Sequence, residues 1–332
     1  MKKSIIFFCL FFLLCGCSKI SENELIKDLN KKINKSNNYE LTATLQIFRN
    51  EEKFTYDIVS TYQKENKFKV KLINKTNNHE QIILKSDDTV YVLTPSLNKS
   101  FKFQSDWPYN NSQIYLLQPI ISDLENDDKI KFLKNKDGYI IESKVNYTNE
   151  KDFNKQKVYF DLEKNITKIE VLDNSDNLKM ILNIISIEYD IDIEKDFFDV
   201  NRYIKNMEEK KSNSSEKTTN NEIKEIVYPM YVPSETYLTS QNVIDTETGE
   251  RVILTFSGES QFTLVQENIL DNFKESFVYG EPYLVLDTIG AITDSSVSWI
   301  SDGIEYSIIS DTMSIDELLT VAQSISVEPV GK

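Results

Sequence analysis

The stretch 39–48, YELTATLQIF, decides the fold: Tyr39, Leu41, Ala43, Leu45 and Ile47 alternate with Glu40, Thr42, Thr44 and Gln46. Successive side chains of an extended chain point to opposite faces, so this period of two predicts a strand with one face on a core and the other in water. The period recurs in Phe54, Tyr56 and Ile58, and again in Phe68, Val70 and Leu72, which are interleaved with Lys67, Lys69 and Lys71. Further strand-like runs at 81–85, 89–93 and 100–103 are separated by the turns Ser86-Asp87-Asp88 and Pro95-Ser96-Leu97-Asn98. One-sided strands joined by short turns pair antiparallel, so this region reads as a meander.

Before it, Leu25, Ile26, Leu29 and Ile33 follow helical spacing over 21–34. The meander is interrupted once, where Ile114, Leu117, Ile121 and Leu124 predict a helix that Pro119 should bend or restart. Strands resume at 131–134, 139–145, 157–162, 166–172 and 178–189, for about eleven in all, and a short helix over 196–207 closes the region. From 208 to 222 the chain is Lys, Ser, Asn, Thr and Glu with no apolar residue, a composition of linkers. Beyond it Gly becomes frequent, at Gly249, Gly258, Gly280, Gly290, Gly303 and Gly331. A second, smaller α+β domain over 223–332 is expected, with strands near 251–256, 261–266, 298–300 and 305–309. A C-terminal helix should follow, opened by a Ser314/Glu317 capping box.

The 332 residues carry 53 Asp plus Glu against 38 Lys plus Arg, a net charge of −15 that would repel a phosphate backbone. No nucleic-acid partner is expected. At the start, Lys2 and Lys3 precede an apolar run over 5–14, too short to span a bilayer, which reads as a secretion signal over 1–16. The run ends in Leu14-Cys15-Gly16-Cys17, which resembles the bacterial lipobox, with cleavage after Gly16 and a diacylglyceryl group on Cys17. The protein would then be a lipoprotein with a membrane anchor, held at the extracytoplasmic face of the cell membrane. Cys9 and Cys15 would leave with the signal, so the mature chain would hold no disulfide and no free thiol.

Constellations that could carry chemistry are few. Ser96-Leu97-Asn98-Lys99 and Ser175-Asp176-Asn177 imitate two elements of the penicillin-recognising serine enzymes, but that Ser needs a helix start and here sits in a Pro95 turn, and the third element is absent. His79, the single imidazole, lies in a polar hairpin and reads as solvated. Asp190, Asp192 and Glu194 alternate along a strand end, which reads as a solvated face rather than a calcium site because the EF-hand pattern is missing. No cofactor, metal or catalytic residue is expected, and the chain is read as a non-enzyme. The concave face of a curved, open sheet would carry Tyr39, Leu41, Leu45, Phe54, Tyr56, Ile58, Phe68 and Val70. These could line a cavity for an acyl chain or a partner's side chains, or simply be core.

An eleven-strand meander interrupted by one helix, with Asp87-Asp88-Thr89-Val90-Tyr91-Val92-Leu93-Thr94-Pro95, Asn98-Lys99-Ser100, Phe160-Asp161 and Ile169-Glu170-Val171, resembles the LolA, LolB and RseB superfamily. Among its members it is similar to the lipoproteins of spore-forming Gram-positive bacteria that include the GerS group. The resemblance implies a mainly β fold, an incomplete antiparallel β-barrel capped by helices over 17–207. The C-terminal part, with Tyr228-Pro229-Met230-Tyr231-Val232-Pro233, Trp299 to Tyr306 and Ser314 to Leu319, resembles the small domain that follows such a half-barrel in RseB-type envelope proteins. There those residues are scaffold. RseB is not itself a lipoprotein, so the anchor is a departure. The resemblance implies a cell-envelope protein of sporulation, germination or envelope stress that binds a protein partner, of the anti-sigma type or a cell-wall enzyme. The alternative it implies is a carrier of lipid or lipoprotein acyl chains.

Overall fold

The computed structural model describes residues 20–325 except 50–51, 110–111, 148–149, 151, 213–222, 247–248 and 270–273. Helix α1 (Glu22–Lys35) starts where Ser21 accepts from the Glu24 amide, and buries Leu25, Ile26, Leu29 and Ile33. The meander then runs β1 (Asn38–Arg49), β2 (Glu52–Gln63), β3 (Lys67–Asn74), β4 (Glu80–Ser86), β5 (Thr89–Thr94) and β6 (Lys99–Gln104). Helix α2 (Leu117–Asn126) crosses to the far edge. The chain returns through β7 (Lys131–Lys134), β8 (Tyr139–Lys144), β9 (Phe153–Phe160), β10 (Ile166–Asp173) and β11 (Leu178–Tyr189), which pairs with β1. The eleven strands read from the sequence are therefore present, with the first strand at the centre of the sheet.

Pro119 does not bend α2. The helix begins only at Leu117, so Pro119 falls in its first turn, where the amide it lacks would have had no intrahelical partner. Between β1 and β11 the register shifts at Thr42/Ala43, leaving Ile185 unpaired, 68% exposed, on the outer face. Such a bulge bends a sheet, and the curved face encloses α1 and α2 in one core. The sheet does not close: its edges are β7 and a strand from the C-terminal part.

Helix α3 (Val200–Ser212) runs past the point at which the composition places a linker. Glu208, Glu209, Lys210 and Lys211 are good helix formers and Lys205 pairs with Glu209 one turn on, so the helix extends without apolar residues. The rest of the expected linker, 213–222, lies outside the described residues. With Phe198, Met207 of α3 covers the outer face of β4 and β5 in a separate cluster with Ile82, Leu84 and Leu93, and the Lys69 ammonium lies 4.0 Å from the Phe197 ring.

The C-terminal part holds more strands than the sequence suggests: β12 (Thr236–Thr246), β13 (Gly249–Gly258), β14 (Phe262–Asn268), β15 (Lys274–Val278), β16 (Glu281–Val285), β17 (Thr288–Ile292), β18 (Ser296–Ser301) and β19 (Ile304–Ile309). Seven form a second antiparallel sheet in the order β12-β13-β14-β19-β18-β17-β16. Helix α4 (Ile315–Gln323) packs Leu318, Leu319, Val321 and Ala322 on it, opened by the expected Ser314/Glu317 capping box. The exception is β15, which leaves this sheet and pairs parallel with β6, making the first sheet twelve-stranded. No helix among the described residues is long and apolar enough to cross a membrane.

Candidate functional site

The register places all eight nominated residues on the concave face. Leu45 stands opposite Tyr56, Ile58 lies between Ala43 and Leu72, and Tyr39 and Phe68 flank Tyr62 on either side. Tyr39, Leu41, Leu45, Tyr56, Ile58, Phe68 and Val70 are buried, and Phe54 partly so. They pack in one cluster with Leu25 and Leu29 of α1 and Ile120 and Leu124 of α2. Tyr39 also does polar work there. Its hydroxyl accepts from the Leu117 amide at 3.1 Å and donates to Gln118 Oε1 at 2.7 Å, so the sheet floor caps an α2 N-terminus that has no capping side chain of its own. Burial pushes the Tyr39 hydroxyl far above its ordinary range, which keeps it a donor.

The helices pack against the concavity, and a cavity of about 90 Å³ lies among Leu45, Ile47, Leu72, Ile83, Phe153 and Met180, flanked on the far side by Tyr283, Leu284 and Ile289 of the second sheet. Its polar rim is Arg49, which pairs with Glu150, to which the Tyr283 hydroxyl also donates. Burial works against the Arg49 charge, but Glu150 and Tyr283 outweigh it and hold the guanidinium above its usual value.

Buried polar groups join the two sheets. Gln81 on β4 donates to the Ile289 carbonyl at 2.9 Å and accepts from the Ile289 amide at 2.6 Å, as a strand neighbour would. Lys99, its side chain 1% exposed, donates to Glu305 Oε2 at 2.8 Å and to Ser276 Oγ at 2.9 Å. Burial lowers the Lys99 ammonium, and Glu305 opposes that shift. Ile289, Ala291 and Ile300 belong to the core of the first sheet, although β17 and β18 belong to the second.

Beside this seam is a groove of about 470 Å³ between the β3–β4 turn and the turns of the second sheet, lined by His79, Asp287, Asp302, Trp299 and Tyr306. His79 is thus half-buried at the seam rather than solvated, and burial lowers its imidazole while Asp287 and Asp302 oppose that. Only the fold, by bringing the β16–β17 and β18–β19 turns against β3, reveals this; nothing in a Thr-Asn-Asn-His turn signals it.

The other sequence candidates hold turns together. Ser96 lies in a single 3₁₀ turn (Pro95–Leu97) while Lys99 turns away to Glu305 and Ser276. Asp173 accepts from the Ser175 and Asn177 amides and from the Asn177 side chain, whose bond contributes most to holding its carboxyl down at about 2. Asp190 accepts from the Asn37 amide at 2.7 Å and Glu194 pairs with Arg202. Among the described residues no group of three His, Cys, Asp or Glu is placed to hold a metal ion. Gly16 and Cys17, the expected cleavage and lipidation positions, lie outside the described residues.

No family model matches the chain. It is 31% identical over 316 residues to the sporulation protein YdcC of Bacillus subtilis (strain 168), a match covering 94% of this chain and 93% of that protein. Among solved structures it is similar to the MucA/MucB complex of Pseudomonas aeruginosa, with 12% identity over 91% of this chain and 98% of that chain and a TM-score of 0.32. It is also similar to the complex of the CwlD amidase with the GerS lipoprotein from Clostridioides difficile, with 22% identity over 53% of this chain and 98% of that chain and a TM-score of 0.30. LolA superfamily proteins are among its structural neighbours.

Proposed function

We propose that this chain, which belongs to the family of the sporulation protein YdcC, is a non-enzymatic docking protein of the spore-forming cell. In this reading Cys17 carries a lipid that holds it at the outer face of the cytoplasmic membrane, and the two-sheet body binds a protein partner there. The observation that carries the reading is the filled half-barrel. Sites for lipid- or drug-sized ligands run to roughly 300–1,000 Å³, whereas the cavity between the concave face and the second sheet, among Leu45, Leu72 and Met180, measures about 90 Å³. A carrier of acyl chains needs room that these side chains occupy. A docking body needs only a stable, well-shaped surface, which two fused sheets supply.

The reading is tested by crosslinking the chain in sporulating cells, fractionating the membranes and identifying what co-purifies. It predicts a stoichiometric protein partner in the membrane fraction, and release of the chain into the soluble extracytoplasmic fraction on Cys17→Ala. A chain that stays membrane-bound without Cys17 would remove the anchor, and a crosslinked fraction with no stoichiometric protein would remove the docking role.

A further inference from the structure

Three of the four outermost strands of the two sheets are blunted. β7 has four residues with Lys131 and Lys134 at its ends, β15 has five and opens on Lys274, and β16 has five with Pro282. Short length, lysine and proline are the devices by which sheets keep their edges from pairing with other chains. β12 has none of them. It runs for 11 residues without Pro, Lys or Arg, and its one register shift, at Leu238/Ser240, leaves Ser240 to Thr246 in unbroken register. Among the described residues no strand lies on its far side, so that side presents backbone N–H and C=O groups to a further strand.

The side chains along this edge add a second observation. Half of the large apolar side chains exposed among the described residues fall between Tyr228 and Ile244. Leu238 and Val243 stand opposite Phe256 and Val252, so they continue the face on which α4 packs, yet both are exposed. Tyr228 joins them there, its hydroxyl donating to Gln241 Oε1 at 2.6 Å. Tyr237 and Ile244 are exposed on the opposite face. A strand with apolar side chains open on both faces and an open edge between them is short of a neighbour.

Charge says which neighbour. Asp245 and Glu250 stand directly opposite each other at one end of β12, and Glu235 and Glu259 are joined by a backbone hydrogen bond at the other. Like charges opposite one another on a ladder are destabilising. None of the four is in an ion pair among the described residues. Of the cations in this stretch, Arg251 is committed to Glu267, and Lys224 pairs with none of the four among the described residues. A second copy of the chain would bring the same carboxylates and a further net charge of −15, so charge disfavours it.

We propose that β12 takes up an extended segment of a partner protein as an eighth strand of the second sheet, a segment apolar along its middle and carrying Lys or Arg at both ends. Backbone pairing along Ser240 to Thr246 supplies the attachment, as when a peptide is added to the edge of a sheet. The apolar side chains cover Val243 and Ile244, and the terminal cations meet Asp245 with Glu250 and Glu235 with Glu259. This deepens the docking reading by giving the surface and the partner's chemistry, and takes its biological meaning from that reading.

The test uses the purified full chain and a fluorescent synthetic probe, acetyl-Lys-Lys-Val-Thr-Ile-Thr-Val-Lys-Lys-amide. A second probe has glutamate in place of every lysine, and a third has proline in place of the central isoleucine. Binding is read by fluorescence anisotropy and its place by hydrogen–deuterium exchange of the backbone amides. Saturable binding of the lysine probe is expected, with slowed exchange in β12 and unchanged exchange in β7, and binding about tenfold weaker for the glutamate probe. Asp245→Lys relieves the clash with Glu250 and leaves the sheet intact. It should weaken the lysine probe about fivefold and strengthen the glutamate probe. No saturable binding, equal binding of the lysine and glutamate probes, undiminished binding of the proline probe, or protection elsewhere than in β12 would overturn the proposal. Protection of β12 that grows with chain concentration in the absence of probe would also overturn it, because a second copy would then be the occupant. Those results concern the edge alone, whereas failure of the crosslinking experiment would remove the docking role and leave the strand-pairing result standing.

Discussion

Asp123, on α2, makes one identifiable contribution to the pH response of the fold. Burial pushes its carboxyl up to about 7, against the Ser112 hydroxyl that donates to it at 3.0 Å. The folded chain therefore keeps this proton until about pH 7, while the unfolded chain releases it near 4. Between those values the folded state binds more protons, so this contribution to stability falls as pH rises and levels off above 7. Asp123→Asn keeps an acceptor for Ser112 and removes the charge. It should raise unfolding free energy at pH 8 by on the order of 2 kcal/mol and change little at pH 4, as measured by urea denaturation at both. An equal effect at the two pH values would contradict the assignment. The role of Asp123 was not legible in the sequence, because it depends on Ser112, Gln156 and Tyr147 converging from distant positions. Tyr39 was legible only as an apolar member of an alternating strand; its capping of α2 joins residues far apart in sequence.

Among the elements, legibility followed one-sidedness. Strands β1, β3 and β8 bury every second residue over nearly all their length, so their period shows in the sequence. In β17 all five residues are buried, since Ile289 and Ala291 face one core and Ile292 the other, and no alternation survives to be read. Strand β12 is nearly all exposed and equally without period. Gly290 shows how tightly β17 is seated: a Cβ there would lie 2.1 Å from the Ser298 carbonyl oxygen on the neighbouring strand. The joint between the sheets rests on the pairing of β15 with β6 and on Lys99 with Glu305. Glu305→Ala would strand a buried ammonium with Ser276 as its remaining short-range acceptor. It should cost roughly 3 kcal/mol in urea unfolding, while Lys99→Met combined with Glu305→Leu should recover most of that loss. A cost below about 0.5 kcal/mol, the range of an exposed pair, would show that the joint does not depend on this contact.

For the whole molecule, the first sheet was legible almost strand by strand, and so was the presence of a second unit after a polar stretch. What composition could not show is that the two share a core. Ile289, Ala291 and Ile300 complete the first unit's interior, and β15 extends its sheet. The concave residues nominated from the sequence were found on one face, but whether that face encloses a ligand depends on how far α1, α2 and the second sheet fill it, which no local pattern encodes. The measurement that tests this most directly is native mass spectrometry of the chain purified from the cells that make it, with extraction and analysis of any lipid held non-covalently. A filled half-barrel predicts no non-covalently bound acyl component. A stoichiometric, non-covalently bound lipid that survives purification and crosslinks to the side chains around Leu45, Leu72 and Met180 would contradict it, because the cavity of about 90 Å³ among them is well below the roughly 300 Å³ at which such sites begin.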